Sequence, residues 1–305
     1  MSYNKKLWAW LAGIFLISFG VLGLLGRDIY VQAPPVPERV VTEEGRTLYT
    51  KADIQTGREV WQTLGGMQLG SVWGHGGYVA PDWGADWLHR ESTTLLDIWA
   101  AQKGAKNFAA LEPEMQGALK ERLKAELRTN SYDPATGAIT VSEDRARAIQ
   151  AVGAHYAQLF SSDPRLSELR DQYAIPEKTL TDAKHREQLG GFFFWTSWTS
   201  VTERPGQEIS YTNNWPHGPL VGNGPAGALG MWSIASVLFL IAGIGGLVYW
   251  APKVLGRVVS ENGARLVALL LLAGTVLWSL PDLVAGLLGQ PGFPGQRAPA
   301  NADTS

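Results

Sequence analysis

The sequence predicts a mainly α membrane protein: an N-terminal transmembrane anchor, a large exterior domain, and one or two further transmembrane helices. Three observations lead there. First, long apolar runs punctuate the 305 residues: Leu7–Gly26 and Ala228–Trp250 carry no charge, and Leu266–Leu280 continues past Pro281 and Asp282 to Leu288. About 20 apolar residues cross a bilayer core as a helix. Second, Lys5 and Lys6 precede the first run, and Lys253, Arg257 and Arg265 separate the second from the third. By the positive-inside rule this places the N-terminus in the cytoplasm and residues 27–227 on the periplasmic or extracellular side of the cytoplasmic membrane. Third, the segment between the first two runs reads chiefly as helices.

The elements follow in order. Residues 7–26 form the anchor, read as uncleaved because Arg27-Asp28 comes next rather than a small-residue cleavage site. Pro34, Pro35 and Pro37 make residues 31–40 an extended linker. Thr47–Tyr49 suits a short strand. Ile54, Val60, Trp61 and Leu64 recur at helical spacing over Asp53–Leu64. Glu91–Gln102 reads as a helix with Leu95, Leu96, Ile98 and Trp99 on its apolar side, and Glu112–Arg128 as a charged helix with opposed charges one turn apart. A turn at 133–137 precedes a short strand, Ala138–Val141. Ser142-Glu143-Asp144 opens a helix to Phe160, with acids in its first turn. A further helix spans Asp163–Tyr173. The longest, Glu177–Glu203, carries FFFWTSWTS, an aromatic face that either forms the core or meets a membrane surface. Residues 228–250 and 266–288 are the later spans, and 289–305 a disordered tail.

Composition excludes several functions. The net charge of −2 gives no electrostatic footprint for nucleic acid. The chain has no cysteine, which rules out disulfides, thiolate metal sites and thioether-linked haem. The unusual stretch is Gly65–Glu91, GGMQLGSVWGHGGYVAPDWGADWLHRE. Its glycines permit tight turns and its tryptophans demand packing and an N–H partner. His75 lies between glycines, where it either ligates a metal or fills a packing position. Asp82, Asp86, His89, Arg90 and Glu91 make a dense polar group, suited to a metal ion, to proton transfer, or to a paired-charge network. Asp86 and Arg90 stand one helical turn apart. The candidate docking and structural cluster is His75, Tyr78, Asp82, Asp86, His89, Arg90, Glu91, Trp215 and His217. No residue is read as catalytic, cofactor-binding or metal-ligating.

Three blocks, GREVWQTLGGMQLGSVWGHGGYVAPDWGADWLHRE (57–91), GGFFFWTSWTSVTERPG (190–206) and YTNNWPHGPLVGN (211–223), resemble signature segments of the large subunit of quinol-dependent nitric oxide reductase, in matching order. The resemblance covers about residues 5–250. It implies a cytochrome-c-like exterior domain without haem. Residues 74–82 resemble the run that follows the haem-attachment motif in the cytochrome subunit of related enzymes; counting back sets Gly66 and Leu69 at the cysteine positions and Gly70 at the axial histidine.

The family's chemistry converts two NO, two electrons and two protons to N2O and water. It needs histidines on the helices of a haem-copper-oxidase-type bundle, holding b-type haems and a non-haem iron. This chain's histidines, His75, His89, His155, His185 and His217, all lie outside the apolar runs. The resemblance therefore implies no cofactor in this chain, with haem b and non-haem iron in a catalytic partner. It implies contact with membrane lipid and a haem-bearing catalytic subunit, with quinol bound only in the complex. The family's WPHEP run reads WPHGP here, with Gly218 in place of the acid. Two roles remain open: a non-catalytic, membrane-anchored module of a split nitric oxide reductase, or a truncated or frameshifted enzyme, inactive alone.

Overall fold

The structure, a computed structural model, describes residues 3–224 and a few short pieces between 260 and 274. The chain divides into two units, Met1–Ala226 and Gly227–Ser305; the elements named below belong to the first. The expected spans at 228–250 and 266–288 and the tail at 289–305 lie outside the described residues, apart from isolated positions between 266 and 274.

Seven α-helices and four strands are found among the described residues: α1 (Tyr3–Val31), β1 (Arg39–Thr42), β2 (Thr47–Thr50), α2 (Lys51–Thr63), α3 (Trp83–Gln102), α4 (Pro113–Arg128), β3 (Tyr132–Asp133), β4 (Ala138–Val141), α5 (Glu143–Leu159), α6 (Ser167–Gln172) and α7 (Ala183–Val201). The strands form one mixed sheet in the order β2-β1-β4-β3. β1 runs parallel to β4, with Val40 opposite Ile139, and the other two pairings are antiparallel.

The expectation of a mainly α membrane protein with a transmembrane anchor is corrected on two counts. Among the described residues no helix is long and apolar enough to cross a membrane. The run at 7–26 does become helical, but a charge-free stretch of sequence is not the element itself. α1 takes in Lys5, Lys6, Arg27 and Asp28 and carries Gly13, Gly20, Gly23 and Gly26 along its length. The second correction is the sheet, which makes the unit α/β. β1 falls in what reads as the end of a proline-rich linker, and four residues are too few to display alternation.

Local chemistry sets the helix ends. Thr50 and Asp53 form a reciprocal capping box on α2. Asp82, Ser142 and Asp182 cap α3, α5 and α7 through their side chains. α3 starts two turns earlier than its apolar periodicity suggests, because Asp82 supplies the cap. α7 is shorter than expected at both ends for the same kind of reason: Asp182 opens it and Thr202 closes it.

α7 is the central element. Every residue from Leu189 to Val201 is buried, so the aromatic run is core. Three of its hydroxyls turn back onto the helix: Thr196 donates to Phe193 O (2.8 Å), Thr199 to Thr196 O (2.8 Å) and Ser200 to Ser197 O (2.7 Å). Buried hydroxyls satisfied this way cost little. Trp83 stacks on Phe193 at 5.3 Å and meets Phe160 edge-on at 5.7 Å, while Trp87 stacks on Tyr156 at 5.4 Å. A second cluster joins Leu95, Leu96 and Trp99 of α3 to Leu119, Leu123 and Leu127 of α4.

Glycine lets α7 approach its neighbours. A Cβ at Gly57 of α2 would lie 2.0 Å from the Gln188 carbonyl oxygen, and one at Gly191 would lie 2.9 Å from the Tyr49 ring. Gly57→Ala is expected to force α2 off α7, lowering stability by about 1–3 kcal/mol. A chemical-denaturation midpoint on the full chain checks this; Gly117→Ala, which meets nothing within 4 Å, should hold the wild-type midpoint or rise slightly.

Candidate functional site

The glycine-rich loop between α2 and α3 is held by one carboxylate. Asp82 is only 6% exposed. Its Oδ2 accepts from the Ser71 hydroxyl (2.6 Å) and the Gly74 amide (2.7 Å), and its Oδ1 accepts from the Ala85 amide (3.0 Å). Ser71 Oγ in turn accepts from the Gly76 amide (2.7 Å), and the Trp83 amide donates to Ser71 O (2.9 Å). The loop is thus fastened to the first turn of α3 at several backbone points. Burial raises the Asp82 carboxyl above the usual range, against the opposing pull of the hydrogen bonds from Ser71, Gly74, Ala85 and Gly84.

Trp73 takes a left-handed backbone (φ 56°), which a bulky residue rarely adopts. It is held there by donation from Nε1 to Thr196 O (3.0 Å) and by its ring contact with Trp195 at 5.5 Å. Gly70 has no room for a side chain: a Cβ would meet Trp83 Nε1 at 2.5 Å. The position that the resemblance assigns to an axial histidine is therefore closed by the Trp83 indole.

The predicted cluster separates into distinct environments. Asp86, Arg90 and Tyr156 form one: Arg90 Nε and the Tyr156 hydroxyl both donate to Asp86 Oδ2, at 2.8 and 2.6 Å. Glu91 belongs to another, a fully buried ion pair in which Arg145 Nε donates to Oε1 (2.8 Å) and Trp87 Nε1 to Oε2 (2.8 Å). His75 and Trp215 form a third, with ring centroids 4.7 Å apart and Trp215 Nε1 donating to Gly74 O (3.2 Å). His217 lies beyond Trp215, at 6.1 Å between rings, after a cis Trp215-Pro216 bond. His89 is exposed on α3 and shares a small cleft with His217. Tyr78 is wholly exposed.

Sequence reasoning missed Ser71, Tyr156 and Arg145, the partners that give the acids their roles. Arg145 follows Ser142-Glu143-Asp144, and on an acidic first turn a basic residue gives no sign that it points inward. Among the described residues no group of three or more His, Cys, Asp or Glu is placed to hold a metal ion.

Residues 37–217 match the family model for the NorB cytochrome c-like domain of nitric oxide reductase. The chain belongs to this family. No curated protein matches it. The family match spans the sheet, the glycine loop and α2–α7, so Asp82 and its partners are the family domain's own interior and loop face.

Asp82→Ala removes a helix cap and frees the loop. It should cost about 2–4 kcal/mol in denaturant titration and raise amide exchange at Gly74 and Gly76. His155 gives a pH signature. Burial first, and then the nearby Arg90 guanidinium, push its imidazole down from 6.5 to about 4, with Asp86 opposing. The unfolded chain takes up this proton near pH 6.5 and the folded chain only near 4. Stability from this group is therefore fully present above pH 6.5 and is lost as pH falls towards 4, by about 2–3 kcal/mol. Denaturation midpoints at pH 7.5 and 4.5 should differ less in His155→Phe than in wild type.

Proposed function

We propose that this chain is a non-catalytic module of a nitric oxide reductase, of the quinol-dependent type, that docks on a separate haem-bearing catalytic chain. The observation that carries this is the apolar face of the glycine loop. Met67, Tyr78 and Val79 are 56%, 107% and 55% exposed on a loop that Asp82 and Ser71 hold rigid. Large apolar side chains held exposed on an ordered loop suit a protein partner. Family membership supplies the class of that partner, and the lack of cysteine is consistent with haem being carried by the other chain. In this reading, the buried Asp86–Arg90–Tyr156 and Glu91–Arg145 groups keep the loop face in shape and take no part in the redox chemistry.

The test is a reduced-minus-oxidised spectrum of the tagged chain purified from its native source. A b-type haem signal in stoichiometric amount is expected, with NO consumption by the purified complex. Tyr78→Asp combined with Met67→Asp should reduce the co-purified haem by about tenfold or more while leaving the fold intact, since alanine scans show that a few exposed anchors dominate such contacts. A flat spectrum from well-folded wild-type protein would overturn the proposal.

A further inference from the structure

A larger cleft, of about 380 Å³, opens where the sheet meets the helices. Three elements far apart in sequence wall it: β2 at the edge of the sheet, the middle of α5, and the second turn of α7. Its volume falls in the range of small-molecule sites, about 300–1,000 Å³.

We propose that this cleft binds a small primary amine with an apolar body, its ammonium held by the Glu187 carboxylate and the Tyr49 hydroxyl oxygen. The hydroxyl is the first support. Tyr49 is only 6% exposed, its ring stacked on Phe194 at 5.9 Å. A buried tyrosine ordinarily finds a partner for its hydroxyl. Among the described residues this one has none, and the side chain lines the cleft. The hydroxyl end stands where α5 and α7 carry glycines: a Cβ at Gly153 would lie 3.0 Å from it and one at Gly190 3.5 Å. The bare Gly153 therefore leaves the floor of the cleft open beside the phenol.

Charge supplies the second support. Burial first, and then the carboxylates of Glu187, Glu91 and Asp53, hold the phenol well above its ordinary range, so it stays neutral in a negative surrounding. Only two cations are paired with these three acids. Arg145 takes Glu91 (2.8 Å), and Lys184 is shared between Asp53 (3.2 Å) and Glu187 Oε2 (3.2 Å). One negative charge is left over, and Glu187 is the acid that lines the cleft. Its Oε1 has no partner among the described residues.

The walls select the rest of the ligand. Leu48, Ile149, Ala154 and Ala157 offer an apolar surface without long side chains, and Thr47 and Gln150 add oxygens that accept from an ammonium. A metal ion would want more carboxylates than one. An anion would meet the uncompensated charge of Glu187. The site belongs to this chain alone and is independent of docking to a haem-bearing partner.

The experiment titrates the full chain with phenethylamine and isopentylamine by calorimetry, with phenethyl alcohol and hydrocinnamate as the neutral and anionic counterparts. Saturable binding of one amine per chain is expected, with the alcohol weaker by about tenfold or more and the acid not bound. Glu187→Gln and Tyr49→Phe should each weaken the amine by about tenfold, the worth of a hydrogen bond to a charged group. Glu187 is exposed, so Glu187→Gln should unfold at the wild-type temperature. Glu114→Gln, an exposed acid on α4, should bind as wild type. Equal affinity for amine and alcohol, wild-type affinity in Glu187→Gln, or no saturable binding of either amine would overturn the proposal.

Discussion

Asp82 is the constraint on which the rest of the domain depends. A buried carboxylate is costly unless its oxygens are occupied. Here both are, and by groups from both sides of the chain: Ser71 and Gly74 before it, Ala85 after it. One side chain thus ends a loop and starts a helix. Because α3 begins at Trp83, both Trp83 and Trp87 enter the core, where they stack on Phe193 and Tyr156. The same fastening leaves Met67, Tyr78 and Val79 exposed on a stiff loop. Core packing and loop face are therefore two consequences of one capping interaction.

The Glu91–Arg145 pair plays a different part. Both side chains are almost wholly inaccessible, at 1% and 3%. Desolvating two charges can cost as much as their attraction returns, so the pair is not assumed to add stability against an apolar pair. Its effect is register. Trp87 Nε1 and Arg145 Nε each take one oxygen of Glu91, which fixes the position of α5 along α3. Arg145 Nη1 also reaches the Glu126 carbonyl, so α4 is drawn into the same arrangement. Sliding α5 by one turn would strand a buried carboxylate, an error that hydrophobic packing alone would punish less.

Much of the fold is legible in the sequence, and the limits have physical causes. α2 announces itself through apolar periodicity, α4 through opposed charges one turn apart, and α5 through the acids of its first turn. α7 does not, because it is buried on every side, yet its length and aromatic run still mark it. The start of α3 is hidden, since a capping aspartate inside a glycine-rich stretch looks like one more loop residue. β1 is masked by the prolines before it. The polar cluster at 82–91 is visible as composition, but its division is not. Asp86 and Glu91 point to different neighbours from one helix, and those neighbours, Tyr156 and Arg145, come from distant parts of the chain. The apolar run at 7–26 shows the converse error: it predicts a helix correctly, whereas a membrane crossing does not follow from the element that forms.

Trp83 links the domain's interior to its family relationship. An indole stands at the centre of the domain's core. Trp83 lies against Gly70 with no space for a Cβ between them, stacks on Phe193, and meets Phe160, Tyr156 and Tyr173 edge-on. Aromatic stacking of this kind contributes beyond simple burial, and the geometry leaves position 70 fixed as glycine. A domain built around an indole at this point has committed its centre to packing. What remains adjustable is the surface that Asp82 holds in place, the exposed face of the glycine loop.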